Sequence, residues 1–469
     1  MNVALYTLGC KLNYAETSQL QRLFEQAGHT IVPFGSEEQP ADAVIINTCT
    51  VTENADRECR QIVRRALRSS PHAFIGVTGC YAQLQPEEIA SIEGVDAVFG
   101  AKEKFHILPL VQQAAHRNDG EPFRKFATPR RFVSELDDNL YFVEAQSSDN
   151  DSRTRAFLKL QDGCNYKCSF CTIPMARGKS RSMDFTLIPD KIRALEAAGY
   201  HEVVLSGINL GDYKAPSGER FVDVVRCIDE LHPKPKLRVR ISSIEPNLLT
   251  QEILEIVSVS RVFCHSFHIP LQSGSPEILR QMRRRYKVEH YRNLVERVKT
   301  LMPDAAIGVD VIVGFPGETN KHFEETFAFL HTLPISYLHV FSYSERENTP
   351  AAAYSAVGNA IPMHVRAERS KQLRMLSAQK RAAFYHSQLG TVRTMIPETY
   401  NAHTGRWKGW TENYVRVECT LPSGALVQQP VRVRLLNAES EAVIAKPLCE
   451  DLAFSEVQTS LPSYIPILV

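Results

Sequence analysis

From Met1 to about Gly120, short apolar runs alternate with stretches whose apolar residues recur at helical spacing. Val3–Leu8 reads as a strand, Tyr14–Ala27 as a helix stopped at Gly28, and Ala43–Asn47 as a second strand. Asn54–Leu67 reads as a helix, and Phe74–Thr78 and Val95–Phe99 as two more strands. Strands separated by helices predict a parallel sheet with helices on its faces. The pattern degrades over 121–150, where Arg124, Lys125, Arg130 and Arg131 precede Glu135, Asp137 and Asp138. That stretch reads as a linker, with Leu140–Ala145 apolar and β-prone enough to add a strand.

Over 151–376 the alternation returns six times. Candidate strands are Ala156–Leu160, Glu202–Leu205, Leu237–Ile241, Phe263–Phe267, Ala306–Val311 and Tyr337–Phe341, each but the last followed by a helical pattern before the next strand. Eight repeats close the common barrel; six predict an open (β/α)6 partial TIM barrel with a side free for a large substrate. A basic stretch follows, Val365–Arg381, in which Arg366, Arg369, Lys371, Arg374, Lys380 and Arg381 face a single Glu368. From Gly390 onward short strands (Thr391–Ile396, Tyr414–Cys419, Val431–Leu435) alternate with turns near Gly405 and at Pro422–Gly424. They predict a small C-terminal β-barrel of five strands. The expected division is 1–120, a linker 121–150, the barrel 151–376, the β domain with its basic helix 377–450, and a tail 451–469 with no assignable role.

At 469 residues the chain is too long for one ordinary core. No apolar run reaches the roughly 18 residues of a membrane span, and Met1–Cys10 lacks a basic region followed by an apolar one. Neither membrane insertion nor export is expected. Eleven cysteines, an odd number, fit a reducing cytoplasm with thiols free for metal. The net charge of +1 gives no global pull toward nucleic acid, so any attraction must be local.

The cysteines carry the strongest signal. Gly163-Cys164-Asn165-Tyr166-Lys167-Cys168-Ser169-Phe170-Cys171 sets three thiols at C-x3-C-x2-C directly after the first barrel strand. Three ligands in one short loop leave one metal position open, and an open position is where chemistry is done. A structural zinc completed by a distant His265 or His268 is the competing reading. A second set is spread through the N-terminal block: Cys10, Cys49 and Cys80 each follow a predicted strand, as Leu8-Gly9-Cys10, Asn47-Thr48-Cys49 and Thr78-Gly79-Cys80. A parallel sheet brings its C-terminal strand ends to one edge, where ligands bind; ordinary buried cysteines are the alternative. Cys59, Cys227, Cys264, Cys419 and Cys449 stand alone and read as packing residues.

The C-x3-C-x2-C loop resembles that of radical S-adenosylmethionine enzymes, and the resemblance implies roles near the barrel cysteines for several residues. Tyr166 and Phe170 are candidates to cover an adenine or to shield a cluster from water. Ser206-Gly207 ends the second strand and is a candidate for the amino group of a bound cofactor, or a helix N-cap. Ser243 and Glu245 end the third strand, where Glu245 is a candidate for a ribose hydroxyl or amino group. His268 and Gln272 follow the fourth. Gly308–Glu318 ends in a glycine-rich turn with Gly314 and Phe315, which lacks the phosphate-loop pattern and suits close approach to adenine, or simply a turn before a helix. Arg177, Lys179 and Arg181, with Arg280, Arg283, Arg284, Arg285 and Lys287, are either a solvated face or phosphate contacts. Trp407, Trp410 and Tyr414 either stack on bases or pack internally.

Together with Leu8-Gly9-Cys10-Lys11-Leu12-Asn13, Asn47-Thr48-Cys49, Gly79-Cys80-Tyr81-Ala82-Gln83 and Trp410-Thr411-Glu412-Asn413-Tyr414, the C-x3-C-x2-C loop resembles the methylthiotransferase family over nearly the whole chain. The resemblance implies two 4Fe-4S clusters, one on Cys164, Cys168 and Cys171 that cleaves S-adenosyl-L-methionine to a radical, and one on Cys10, Cys49 and Cys80 that carries the sulfur to be donated. S-adenosyl-L-methionine then serves as both methyl donor and radical source. It also implies a TRAM-like RNA-binding final domain, a tRNA anticodon region as substrate, an electron donor such as flavodoxin or ferredoxin, and a sulfur source. Lys11-Leu12-Asn13 and Ile173–Gly178 look like the branch acting on threonylcarbamoyladenosine; the alternatives are isopentenyladenosine and a ribosomal-protein aspartate. Ser182-Met183 after Arg181 departs from the arginine-containing pattern of that branch.

Overall fold

The computed structural model describes residues 1–49, 53–115, 126, 128–136, 141–147, 154–421 and 429–448, with side chains of 53–56 and 114–115 excepted. The expected turn at Pro422–Gly424, the packing role of Cys449, and the tail fall outside these residues. The chain forms two compact units, Met1–Phe384 and a second from Tyr385 onward. The N-terminal block and the barrel, read separately in sequence, therefore share one unit. Among the described residues no helix is long and apolar enough to cross a membrane.

The first sheet has six parallel strands in the order β2-β1-β3-β4-β5-β6: β1 Asn2–Thr7, β2 Thr30–Ile31, β3 Ala43–Thr48, β4 Phe74–Gly79, β5 Ala97–Phe99 and β6 Arg130–Phe132. Every residue of β3 and β4 is buried, because helices cover both faces. Val44, Ile46, Ile75 and Val77 pack with Ile62, Val63 and Ala66 of the helix Glu53–Ser69. Ala43, Ile45 and Phe74 pack on the other side with Leu20 and Phe24 of the helix Lys11–Gln26. That helix starts at Lys11 rather than Tyr14, so Asn13 already lies within it.

The strand contributed by the linker is Arg130–Phe132, and Tyr141–Ala145 form none. Asp96 captures the earlier segment: its backbone oxygen accepts from Arg130 N at 2.9 Å and its Oδ1 from Phe126 N at 3.2 Å. Phe132 then stacks on Phe99 at 5.4 Å.

The barrel strands are β7 Ala156–Lys159, then, after the short antiparallel pair β8 Gln161–Asp162 and β9 Arg181–Ser182, β10 Glu202–Ser206, β11 Arg238–Ile241, β12 Ser266–His268, β13 Ala306–Val313 and β14 Tyr337–Ser342. They pair in parallel as β7-β10-β11 and β12-β13-β14, and the bridges Val239↔Phe263 and Ser243↔His268 join the two halves. Six parallel strands in one arc match the open partial barrel expected. The core between strands and outer helices is continuous, from Leu158 and Val203 to Val309 and Leu338.

The second unit is a closed barrel, β15-β16-β17-β19-β18, of Val392–Asn401, Arg406–Thr411, Arg416–Cys419, Val431–Ala438 and Val443–Pro447 for β15 to β19 in chain order. Gly409 is required there, since a Cβ would lie 2.1 Å from Ile396 O on the neighbouring strand.

Candidate functional site

Register sets the three N-terminal cysteines at or just past neighbouring strand ends. Thr7 pairs with Asn47 and Thr48 with Gly79, so the residues that follow β1, β3 and β4 leave the sheet side by side. Cys10, Cys49 and Cys80 are those residues or lie just past them. Gly9, at φ +105°, lies against Cys49, where a Cβ would be 2.4 Å from Cys49 Cβ and 2.9 Å from its Sγ. Gly79, at φ +106°, lies against β3, where a Cβ would be 2.2 Å from Thr48 O. Asn13 ties the edge together: its Nδ2 donates to Leu8 O at 2.9 Å and Thr48 O at 3.0 Å. Asn47 Nδ2 donates in turn to Asn13 O at 3.0 Å, and Thr48 Oγ1 to Thr78 O at 2.6 Å.

In the barrel, the loop after β8 is folded back on itself by Cys164 N donating to Gly178 O at 3.1 Å. Gly163, at φ +70°, has no room for a side chain, because a Cβ would lie 2.1 Å from Lys179 O. Ser169 anchors the far side through its N to Met282 O at 3.1 Å and its Oγ to Gln281 O at 2.8 Å. Burial pushes the Cys164 thiol up to about 11 and the Cys171 thiol up to about 12. Arg284 Nη1 donates to Cys168 Sγ at 3.3 Å while its Nη2 pairs with Glu245.

Each triad offers three thiols, the donor type that holds iron–sulfur clusters. A tetrahedral zinc holds its sulfurs about 3.8 Å apart, from Zn–S bonds of about 2.3 Å. Among the described residues, only His268, Asp310 and His339 bring three such ligand atoms within 4.8 Å of one another, so neither cysteine triad has closed to single-ion dimensions. His268 is also engaged at both ring nitrogens, by Ser243 Oγ at 2.8 Å and Asp310 Oδ1 at 2.7 Å. It is not placed to complete a zinc site with the barrel cysteines.

The other expected residues divide. Tyr166 Oη accepts from Asn247 Nδ2 at 2.9 Å, and Arg285 lies over its ring at 3.9 Å. Phe170 and Phe315 pack with Ile278, Met282, Tyr343 and Ala351, so their rings serve a small core beneath the loop. Ser206 is buried and its Oγ donates to Val204 O at 3.2 Å; it caps no helix. Gly207 lies against Gln161, whose Nε2 donates to Gly163 O at 2.7 Å and so shapes the cluster loop. Gln272 holds a positive φ of 69° and bridges β13 through Asp310 O and Ile312 N. At Gly314 the close neighbour is Arg366, whose Cγ would lie 2.4 Å from an added Cβ.

Several basic residues point inward, among them Arg177, a candidate phosphate contact, and two of the basic stretch Val365–Arg381. Arg177 is 3% exposed. Arg366 pairs with Glu345, and Arg369 Nη1 donates to Glu318 Oε1 at 2.7 Å. Lys371 and Arg374 of the same helix remain exposed. In the second unit Trp410 and Tyr414 stack at 4.4 Å and both are half-buried.

Sequence reading passed over Glu16, Asp162, Asp310 and His339. Glu16 and Asp162 are buried acids, and Glu16 falls on the inward face of its helix one turn after Asn13. Asp310 shares the lumen face of β13 with Gly308. Burial raises the Asp310 carboxyl, but hydrogen bonds from His268 and His339 outweigh it and hold the group below the usual carboxylate range. Lys11 was noted only as part of a motif. It is reached by solvent yet walled by protein, and burial, followed by Arg155 and Arg240, pushes its ammonium down to about 8.

Comparison with known proteins adds a separate line. The profile of the Radical SAM superfamily matches residues 158–330, and that of the Uncharacterized protein family UPF0004 matches residues 2–100. Threonylcarbamoyladenosine tRNA methylthiotransferase MtaB of Bacillus subtilis is 38% identical over 443 residues, covering 93% of this chain and 94% of its own length. The protein of the same name from Aquifex aeolicus is 36% identical, covering 89% and 96%. The tRNA-2-methylthio-N(6)-dimethylallyladenosine synthase of Chloroherpeton thalassium is 28% identical, covering 95% and 96%. Among solved structures, the radical S-adenosylmethionine methyltransferase TsrM of Kitasatospora setae superposes with a TM-score of 0.52 at 16% identity, covering 75% of this chain and 77% of TsrM; this likeness is one of fold.

Proposed function

Because this chain belongs to the methylthiotransferase family of the radical SAM superfamily, we propose that it methylthiolates C2 of N6-threonylcarbamoyladenosine in tRNA. The observation that carries the reading is the presence, in one compact unit, of a strand-edge triad and a barrel-loop triad of cysteines. Cys164, Cys168 and Cys171 would hold one 4Fe-4S cluster, and Cys10, Cys49 and Cys80 a second. When bound, these groups supply the radical from S-adenosylmethionine and the sulfur that is transferred, chemistry no side chain can perform.

The chain's own residues do the rest. Arg284 and Glu245 orient the radical-cluster loop through Cys168. The Ser243–His268–Asp310–His339 hydrogen-bonded row lines the lumen with fixed polar groups against which a purine can be oriented. A threonylcarbamoyl group carries a carboxylate that a dimethylallyl group lacks. Lys11, next to Cys10, offers it a cation that has no ion-pair or hydrogen-bond partner among the described residues. Exposed Lys371 and Arg374 in the first unit, and the Trp410–Tyr414 stack in the second, suit phosphate and base contacts with the anticodon region. An external electron donor and a sulfur source complete the requirement.

Mass spectrometry of tRNA nucleosides from cells lacking the gene, and from cells carrying Cys164→Ala or Lys11→Met, tests the reading. Loss of 2-methylthio-threonylcarbamoyladenosine in all three, with its precursor accumulating, is expected. Loss of the dimethylallyl counterpart instead would move the substrate to the sister branch, and no change in either nucleoside would remove tRNA as substrate.

A further inference from the structure

Each cysteine triad has an arginine donating to one of its sulfurs: Arg284 to Cys168 at 3.3 Å, and Arg177 Nε to Cys80 Sγ at 3.2 Å. The second contact crosses between the two sites. Arg177 ends the short helix Ile173–Arg177 that follows Cys171, whereas Cys80 follows β4 of the other sheet.

A guanidinium has five N–H donors, and this one has a partner for each. Nε donates to Cys80. Nη1 donates to Glu16 Oε1 at 2.9 Å and Asp162 Oδ1 at 3.0 Å. Nη2 donates to Asn13 Oδ1 at 2.5 Å and Glu16 Oε2 at 3.1 Å. Asn13 is the residue that ties the ends of β1 and β3, so one side chain from the barrel loop grips all three cysteine-bearing strand ends, directly or through one neighbour.

The surrounding charge is unbalanced. Lys104 and Lys159 pair with Glu16, and Lys159 and Arg181 with Asp162. Four cations, Arg177 included, therefore meet two carboxylates, and all but Arg181 are at most 4% exposed. A cavity of about 310 Å³ lined by these groups reaches Cys80. An excess of buried positive charge is costly unless an anion completes the site. A 4Fe-4S core with three thiolates is such an anion, and its reduction adds one further negative charge.

We propose that Arg177 is a positioning residue for the group on Cys10, Cys49 and Cys80, holding Cys80 by a hydrogen bond to its sulfur and, with the adjoining cations, raising that group's reduction potential. The proposal rests on the reading that these three cysteines carry a 4Fe-4S cluster. Hydrogen bonds to cluster sulfurs and nearby positive charge both favour the more negative, reduced form.

The test uses the full chain with Cys164, Cys168 and Cys171 replaced by alanine, so that a single cluster remains. Iron and sulfide analysis and a redox titration followed by electron paramagnetic resonance are made with Arg177, Arg177→Gln and Arg177→Lys, dithionite supplying the one electron. Cluster occupancy is expected in all three. At a fixed applied potential, the ratio of reduced to oxidised cluster should fall at least tenfold in Arg177→Gln, about 59 mV for a one-electron couple, and less in Arg177→Lys, which keeps the charge. With Arg177 intact and the chain labelled with 15N-arginine, a nitrogen hyperfine coupling to the reduced cluster is expected, and this decides the matter alone if the variants do not load iron. An occupied cluster with unmoved potential or no nitrogen coupling overturns the role of Arg177. Absence of iron from the chain that keeps Arg177 overturns the cluster reading itself, and the proposal with it.

Discussion

Gly79→Ala isolates what the edge of the first sheet demands. At φ +106° and ψ −167° the residue occupies a backbone region that is essentially open only to glycine. Its added methyl would meet Thr48 O at 2.2 Å and Thr48 N at 2.5 Å, main-chain atoms that cannot move without breaking the Thr48–Gly79 pairing of β3 and β4. Backbone strain of about 1–3 kcal/mol and overpacking of about 1–3 kcal/mol give a cost of about 2–6 kcal/mol. That is a large share of the roughly 5–15 kcal/mol typical of a folded domain. Gly28→Ala is the internal control: φ is +79°, but nothing lies within 4 Å of its added carbon, so only a conformational cost of about 1–2 kcal/mol applies. Urea denaturation and iron content, measured on chains whose barrel cysteines are alanine, separate the two. Gly79→Ala should unfold at lower urea and hold less iron, whereas Gly28→Ala should keep its iron. Equal iron in both variants would refute the argument that Gly79 aligns Cys80 with Cys49.

Two further outcomes follow from the charges. Burial raises the Glu16 carboxyl, but Arg177, Lys104 and Lys159 outweigh it and hold the group well below the usual range. A depressed carboxylate contributes stability that is complete above its unfolded value of about 4.3 and is lost as pH falls toward its folded value. Urea midpoints of the first unit should thus hold from pH 7 to about 5 and drop below about pH 4, and Glu16→Gln should flatten that drop; an identical profile would show that Glu16 is not the titrating group. Replacing exposed Lys371 and Arg374 with alanine should weaken tRNA binding and reduce the slope of log K against log salt by about 1.4–1.8, for two phosphate contacts. An unchanged slope in a filter-binding series would place the RNA elsewhere.

Periodicity made the main elements legible because parallel strands buried on both faces read as apolar runs, as Val44–Ile46 and Val203–Leu205 do. Short edge strands were not. Thr30–Ile31 and Arg130–Phe132 carry no period of their own; the first is set by pairing with β1, the second by Asp96 and Phe99. The two cysteine sets were visible by spacing in one case and by strand ends in the other. The charged cluster around Glu16 was not, because its members lie at positions 16, 104, 159, 162, 177 and 181, and nothing in a linear sequence separates a buried lysine from a solvated one. Arg177 shows the difficulty most plainly, since a basic residue beside Gly178 and Lys179 has the local look of a phosphate contact while its environment is wholly internal.

That same internal position links loading of the strand-edge site to closure of the two blocks. Burial raises the Cys10 thiol, beside a cluster in which the cations outnumber the carboxylates. Metal binding to cysteine requires the thiolate and releases protons. Each proton lost replaces a neutral sulfur with a negative one opposite Arg177, which already holds Glu16 of the first block and Asp162 of the barrel. The free energy gained by completing that charge balance is therefore shared between metal affinity and the packing of the two blocks. Weakening either partner weakens the other, whichever side of the interface the substitution is made on.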